Sequence, residues 1–168
     1  MLIVVAFETK NKDGSDYIYF KSIVSRFYKE RGTGISIKPV FMNGKGNYKK
    51  IENKISHLVN QYSGISQVIY FFDIDNTELK FDQQQLNREI IEYCNTKKYE
   101  IVWYNKTVED VLIGNIIEKD KTKTAFDFFY KDKIKTINED NLSINSYEFI
   151  PLKKSNVKHI LDKYLVKK

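Results

Sequence analysis

Cysteine is nearly absent. Cys94 stands alone among 168 residues, which excludes an internal disulfide and a cysteine-rich zinc site. Histidine is almost as scarce: His57 and His159 are too far apart in sequence to form a metal motif. Any metal here would be held by oxygen ligands, which selects Mg²⁺ or Mn²⁺ over zinc. Proline occurs only as Pro39 and Pro151, and without a low-complexity linker nothing marks a domain boundary. No apolar run approaches the ~18 residues of a membrane span. Residues 1–7 are apolar but too short for a secretory leader and lack a basic lead-in. The expectation is a cytoplasmic protein with no membrane partner.

Arginine is rare too. Only Arg26, Arg31 and Arg88 contribute to the 28 basic side chains, so lysine carries almost all the positive charge. Against 22 acidic residues this leaves a net charge of +6. Lysine is a point charge rather than a bidentate reader of base edges, so the excess suits a polyanion met through its phosphates. An AT-rich genome also produces a Lys/Asn/Ile-rich chain, and charge alone leaves the two explanations level. With 42% hydrophobic and 14% aromatic residues, the chain can bury the core of one domain.

The apolar pattern alternates between strand and helix. Residues 2–7 read as a strand covered on both faces, and 16–30 as an amphipathic helix carrying Phe20, Ile23, Val24 and Phe27. A second strand spans 35–42. A second helix carries Ile51, Ile55, Leu58 and Val59, with Asn47 as its cap. A third strand spans 67–72. Asp82-x-x-Gln85 then resembles a capping box, opening a helix that buries Leu86, Ile90 and Cys94. A fourth strand spans 99–104, and Thr107-x-x-Asp110 opens a short helix ending near Gly114. Beyond it, 125–130 reads as helix, 147–150 as a strand, and Val157, Ile160, Leu161, Tyr164 and Leu165 as a last helix capped by Ser155. The predicted fold is α/β: a mainly parallel four-stranded sheet with helices on both faces over residues 1–115, and a helical extension over 116–168 packed on the same domain.

Ligands of open parallel sheets sit beyond the carboxyl ends of the strands. There the sequence places Glu8, then Gly44-Lys45-Gly46, then Asp73-Ile74-Asp75-Asn76, then Glu109 and Asp110. Asp73 and Asp75 are two residues apart, so on extended chain both carboxylates point one way and repel until a cation or proton intervenes. Against this stands the plainer reading of Asp-x-Asp as a polar turn. Glu8, the first polar residue after an apolar strand, is either a second ligand and acid/base or a solvated loop residue. The Gly44-Lys45-Gly46 loop opens a helix, so its amides and the helix dipole, with the Lys45 charge, offer a phosphate cradle, against the plainer reading of an ordinary strand-to-helix turn; it is no Walker loop, because the Gly-Lys-Ser/Thr ending is missing. Phe20 and Phe27 at helical spacing, and Trp103 within a strand, read as core.

The order of these pieces resembles the Toprim domain. That pattern is a glutamate ending strand one, a glycine after strand two and an Asp-x-Asp ending strand three, matched by Glu8, Gly44 or Gly46, and Asp73 with Asp75. The likeness is closest to small Toprim proteins of the RloB type and to the Toprim half of OLD-family nucleases. Ser15-Asp16-Tyr17-Ile18-Tyr19-Phe20 is similar to their segment opening helix one, and Glu109 to their glutamate after strand four. The resemblance covers residues 2–114. Thr9 stands where the family carries glycine, and the loop to Ser15 is about four residues longer. The resemblance implies metal-dependent phosphodiester chemistry on DNA or RNA, with Mg²⁺ or Mn²⁺ held by Asp73, Asp75, Glu8 and Glu109, in a phage-defence or mobile-element setting. It also implies that an ATPase, if needed, is a separate partner. Two other readings stay open: a Toprim-derived module that binds without catalysis, and an α/β interaction protein whose acidic loops are coincidental.

Overall fold

A computed structural model describes residues 1–29, 31–75, 80–145 and 150–168. Strands β1 (Leu2–Phe7), β2 (Ser36–Phe41), β3 (Ser66–Asp73) and β4 (Glu100–Tyr104) form one sheet in the order β2-β1-β3-β4. Every pairing is parallel. The helices are α1 (Ser15–Phe27), α2 (Glu52–Asn60), α3 (Phe81–Lys97), α4 (Val108–Ile113), α5 (Lys121–Tyr130) and α6 (Val157–Leu161). None of the described helices is long and apolar enough to cross a membrane.

The unbroken apolar strands follow from burial on both faces. Ile3, Val5 and Phe7 of β1 enter one core with Ile18, Phe20 and Ile23 of α1, Phe128 of α5 and Ile160 of α6. The intervening Leu2, Val4 and Ala6 enter a second core with Ile55 of α2 and Ile90 and Cys94 of α3. A strand that alternates between two cores has no polar face to offer.

Several boundaries differ from the sequence expectation. Helix α1 stops at Phe27, short of residue 30. Asn47 does not cap α2, which begins five residues later; Asn47 closes a 3-10 turn, Lys45–Asn47, and donates through Nδ2 to the Asn43 carbonyl at 2.7 Å. The capping box is not formed either. Helix α3 starts at Phe81, so Asp82 lies inside its first turn rather than before it. The Thr107 cap does form, Oγ1 accepting from Asp110 N at 3.2 Å, and Gly114 ends α4 at φ 85°. The strand expected over 147–150 lies, except for Ile150, outside the described residues.

The sheet's two margins are finished differently. Along β4 runs the segment 153–156: Asn105 N donates to Lys154 O at 3.1 Å, and Ser155 bridges Tyr104 in antiparallel sense. Fully buried Asn156 then acts as a surrogate strand residue, its Oδ1 accepting from Trp103 N at 2.8 Å and its Nδ2 donating to Ile101 O at 2.9 Å. On β2, Ser36 N and Met42 N both donate to β1, so even-numbered amides face inward and Pro39 falls on the outer side. Asn156→Ala strands a buried donor and a buried acceptor at once, each costing roughly 1–3 kcal/mol. The expected loss is about 2–4 kcal/mol, read as a lower urea midpoint with unchanged slope; a loss below about 1 kcal/mol would mean that something else pairs with β4.

Candidate functional site

Strand order reverses between β1 and β3, because the chain adds β2 on one side of β1 and β3 on the other. The carboxyl ends of those two strands flank the crevice in which open α/β sheets place their ligands. Glu8 and Asp73 stand there. Glu8 Oε1 accepts from the backbone N of Asp73 at 2.8 Å, so the first carboxylate is laid across the end of β3. Asp73 Oδ1 accepts from Val108 N at 2.9 Å, tying β3 to the start of α4.

Asp75 is not on extended chain. Strand β3 ends at Asp73, and Asp75 adopts φ 64°, so the same-side argument for the pair does not hold. Its carboxylate pairs instead with Lys45 Nζ at 2.5 Å. Lys45 is only 7% exposed. Its ammonium also donates to the Asp73 carbonyl and, at 3.2 Å, to Asn87 Oδ1, while Asn87 Nδ2 donates to Ile74 O at 3.1 Å. The glycine-lysine loop opens a three-residue 3-10 turn rather than the helix expected of a phosphate cradle, and it turns Lys45 inward. Gly44 N donates to Glu8 O at 2.7 Å, which fastens the loop to β1. With φ 108° Gly44 has a conformation that L side chains rarely adopt, while Gly46 has no such constraint.

Two further carboxylates close the ring. Glu109, in the first turn of α4, is 0% exposed, and neither of its oxygens has a hydrogen-bond partner. Its nearest cation is Lys121 Nζ at 3.7 Å, reaching over from α5. Asp16, in the first turn of α1, accepts from Ser15 Oγ at 3.2 Å. In the sequence Asp16 lies within the segment opening helix one, and its place at the start of the helix after β1 is the signal for a site role that the motif alone does not carry. Asp110, by contrast, contributes its backbone N to the Thr107 cap.

These groups feel one another. Burial pushes the Glu8 carboxyl up to about 8, Lys45 opposing and Asp16 and Asp75 adding to the rise. Burial and then Glu109 raise Asp16 to about 6. Asp73 lies well above the ordinary range through burial, followed by Glu8, Asp16, Glu109 and Asp75. Five carboxylates thus share one edge of the sheet with two lysines, Lys45 and Lys121. Such a set has a strong appetite for protons or cations.

Among the described residues no three acidic, histidine or cysteine side chains stand so as to hold one metal ion. The cause is visible in the hydrogen bonds: Glu8 is turned to Asp73 N, Asp73 to Val108 N and Asp75 to Lys45. The donor chemistry nevertheless fits Mg²⁺ or Mn²⁺, being all oxygen, and the buried Glu109 carboxylate, ion-paired with Lys121, has no hydrogen-bond donor of its own. Cys94 takes no part, since burial pushes its thiol up to about 12.

Fold and site together define an α/β protein with a parallel sheet and a buried carboxylate cluster at its switch point. Neither family models, nor curated proteins, nor solved structures give a match to this chain.

Proposed function

We propose that the protein is a Toprim-like, Mg²⁺- or Mn²⁺-dependent enzyme acting on nucleic-acid phosphodiesters. The observation that carries this reading is the buried excess of carboxylate at the switch point, with the Glu109 oxygens accepting no hydrogen bond. Glu8, Asp73, Asp75 and Glu109 are the ligand candidates from the sequence, and Asp16 joins them on geometry. The bound ion would supply charge neutralisation of the phosphate and of the attacking water. In the acid role, which excludes its being a ligand in the same step, Glu8 gives the proton that burial favours to the leaving oxygen as the P–O bond breaks, while the attacking water bonds to phosphorus and loses its own proton to solvent. Lys45 keeps Asp75 and the end of β3 in place.

A second reading, a binding module without catalysis, draws on one specific contact. Lys45 already neutralises Asp75, much as a metal would. Single-turnover incubation of labelled single- and double-stranded DNA and RNA with Mn²⁺ separates the two. Cleavage that EDTA abolishes is the expected result; intact substrate across the whole panel would transfer the assignment to the module.

A further inference from the structure

Away from the carboxylates, two cavities adjoin along the solvent side of α1. The first, about 420 Å³, is lined by Tyr17, Lys21, Lys29 and Phe129 over a floor that includes Ile35 and Ile37. The second, about 350 Å³, is lined by Arg26, Lys135 and Lys168 and shares Ser25 and Phe129 with the first. Together they make one trough following α1 from Tyr17, the neighbour of Asp16, to the far end of the helix. We propose that this trough is the path of a single-stranded nucleic acid leading to the carboxylate edge. The proposal takes from the reading above only the identity of the polymer.

Charge and shape carry the argument. Among the described residues no acidic side chain lines the first cavity. Asp132 is the acidic residue of the second, and it is paired with Lys135. Lys21 and Arg26 on α1 and Lys29 just beyond its end are exposed and succeed one another along the chain, which suits a row of phosphates rather than one anion. Partly buried aromatic rings lie among them. Lys21 Nζ sits 5.1 Å from the Phe129 ring centre, and Tyr17, stacked on Phe20, is held edge-on to Phe41 with ring centres 5.7 Å apart. Cations beside aromatic rings in a recessed channel are what unpaired bases and their backbone require. A duplex keeps its base faces stacked inside and gains nothing from such rings. An acidic peptide would meet the charge but not the stacking surfaces.

Fluorescence anisotropy with labelled oligo-dT, in EDTA so that no cleavage intervenes, tests the path. Wild type should bind the single strand more tightly than the matching duplex, with affinity falling between about 50 and 200 mM salt at about −0.7 log units per log unit of salt for each neutralised phosphate. Lys21→Gln with Lys29→Gln, both exposed positions, should weaken binding about tenfold at the lower salt and flatten the slope by about 1.4. Lys50→Gln with Lys54→Gln, on the other face, should leave both unchanged. Equal loss in both pairs, no loss in the first pair, preference for duplex, or equal displacement by a Glu-rich peptide would each overturn the trough. Its failure is distinguishable from failure of the enzyme reading, which is scored by cleavage with Mn²⁺: a protein that cleaves but binds elsewhere loses only the trough, and one that binds here without cleaving loses only catalysis.

Discussion

Glu8→Gln is expected to reduce Mn²⁺-dependent cleavage by about two to four orders of magnitude, the usual worth of a positioned acid or base. The substitution is well matched to the structure. Glutamine keeps the Oε1 that accepts from Asp73 N, so the end of β3 stays fastened to β1. It also imitates the protonated carboxyl that burial favours, so folding should be undisturbed or slightly improved. Only the transferable proton and the capacity for charge are lost. Affinity for nucleic acid should stay level at neutral pH, where the protonated carboxyl carries no charge to lose, and rise slightly above about pH 8, where glutamine removes a negative charge near the phosphates. Single-turnover rates of wild type and mutant, measured side by side across pH, decide the matter. Equal rates would show an enzyme that does not use Glu8 chemistry, and the Toprim assignment would then be wrong.

Asp73 and Asp75 should respond to neutralisation with opposite signs, although only one residue separates them. Asp73→Asn removes a charge that burial and four other carboxylates oppose, while its Oδ1 still accepts from Val108 N. Its thermal midpoint in EDTA should rise. Asp75→Asn removes the counter-charge of a lysine that is 6% exposed at its side chain, against 40% for the aspartate. Its midpoint should fall by about 2–8 °C, corresponding to about 1–2 kcal/mol in a chain of this size. The wild type should in turn lose stability as pH rises. Glu8 goes from an ordinary 4.5 to about 8, and Asp16 from 3.8 to about 6, so the folded state holds protons that the unfolded state has already released. Their contribution to stability is fully present below about pH 4 and declines through the folded values, that is, up to about pH 8. Glu52 works in the other direction. Burial would raise it, but hydrogen bonds from Tyr93, Lys97 and Tyr99 outweigh burial and hold it low, so its contribution is lost on acidification. The midpoint should therefore fall between pH 5 and 8 in EDTA, and millimolar Mn²⁺ should restore it at the alkaline end. A flat profile, or no effect of Mn²⁺ at pH 8, would remove the cation from the account.

What the sequence revealed was whatever depends on neighbours along the chain. The β1, β3 and β4 runs declared themselves because residues 2–7, 68–72 and 101–104 are apolar without a break, and Thr107 and Gly114 marked the ends of α4 because caps are local. Glu8 and Asp73 could be placed together because the carboxyl ends of parallel strands meet by construction. The rest depended on partners remote in sequence. Nothing near Lys45 tells that Asn87, 42 residues on, will share its amine with Asp73 and Asp75. Nothing near Asn156 tells that it will serve β4 from 53 residues away. Asp75 was misjudged because the alternation rule was carried past the end of β3, where φ changes sign. Asp82 was misjudged because a capping motif has meaning only if the helix starts behind it, and α3 starts one residue ahead.

Pro39 has a consequence for how copies of the molecule meet. A parallel sheet can be extended by any chain that finds a continuous row of donors and acceptors along its last strand. On β2 that row is interrupted at its centre, where the outward position has no N–H to give. On β4 the side chain of Asn156 already occupies the corresponding groups. Runaway strand-to-strand growth is thus obstructed at both ends, by a missing donor at one and an internal decoy at the other. Pro39→Thr, which restores the donor, is the change that should make concentrated samples prone to fibrils.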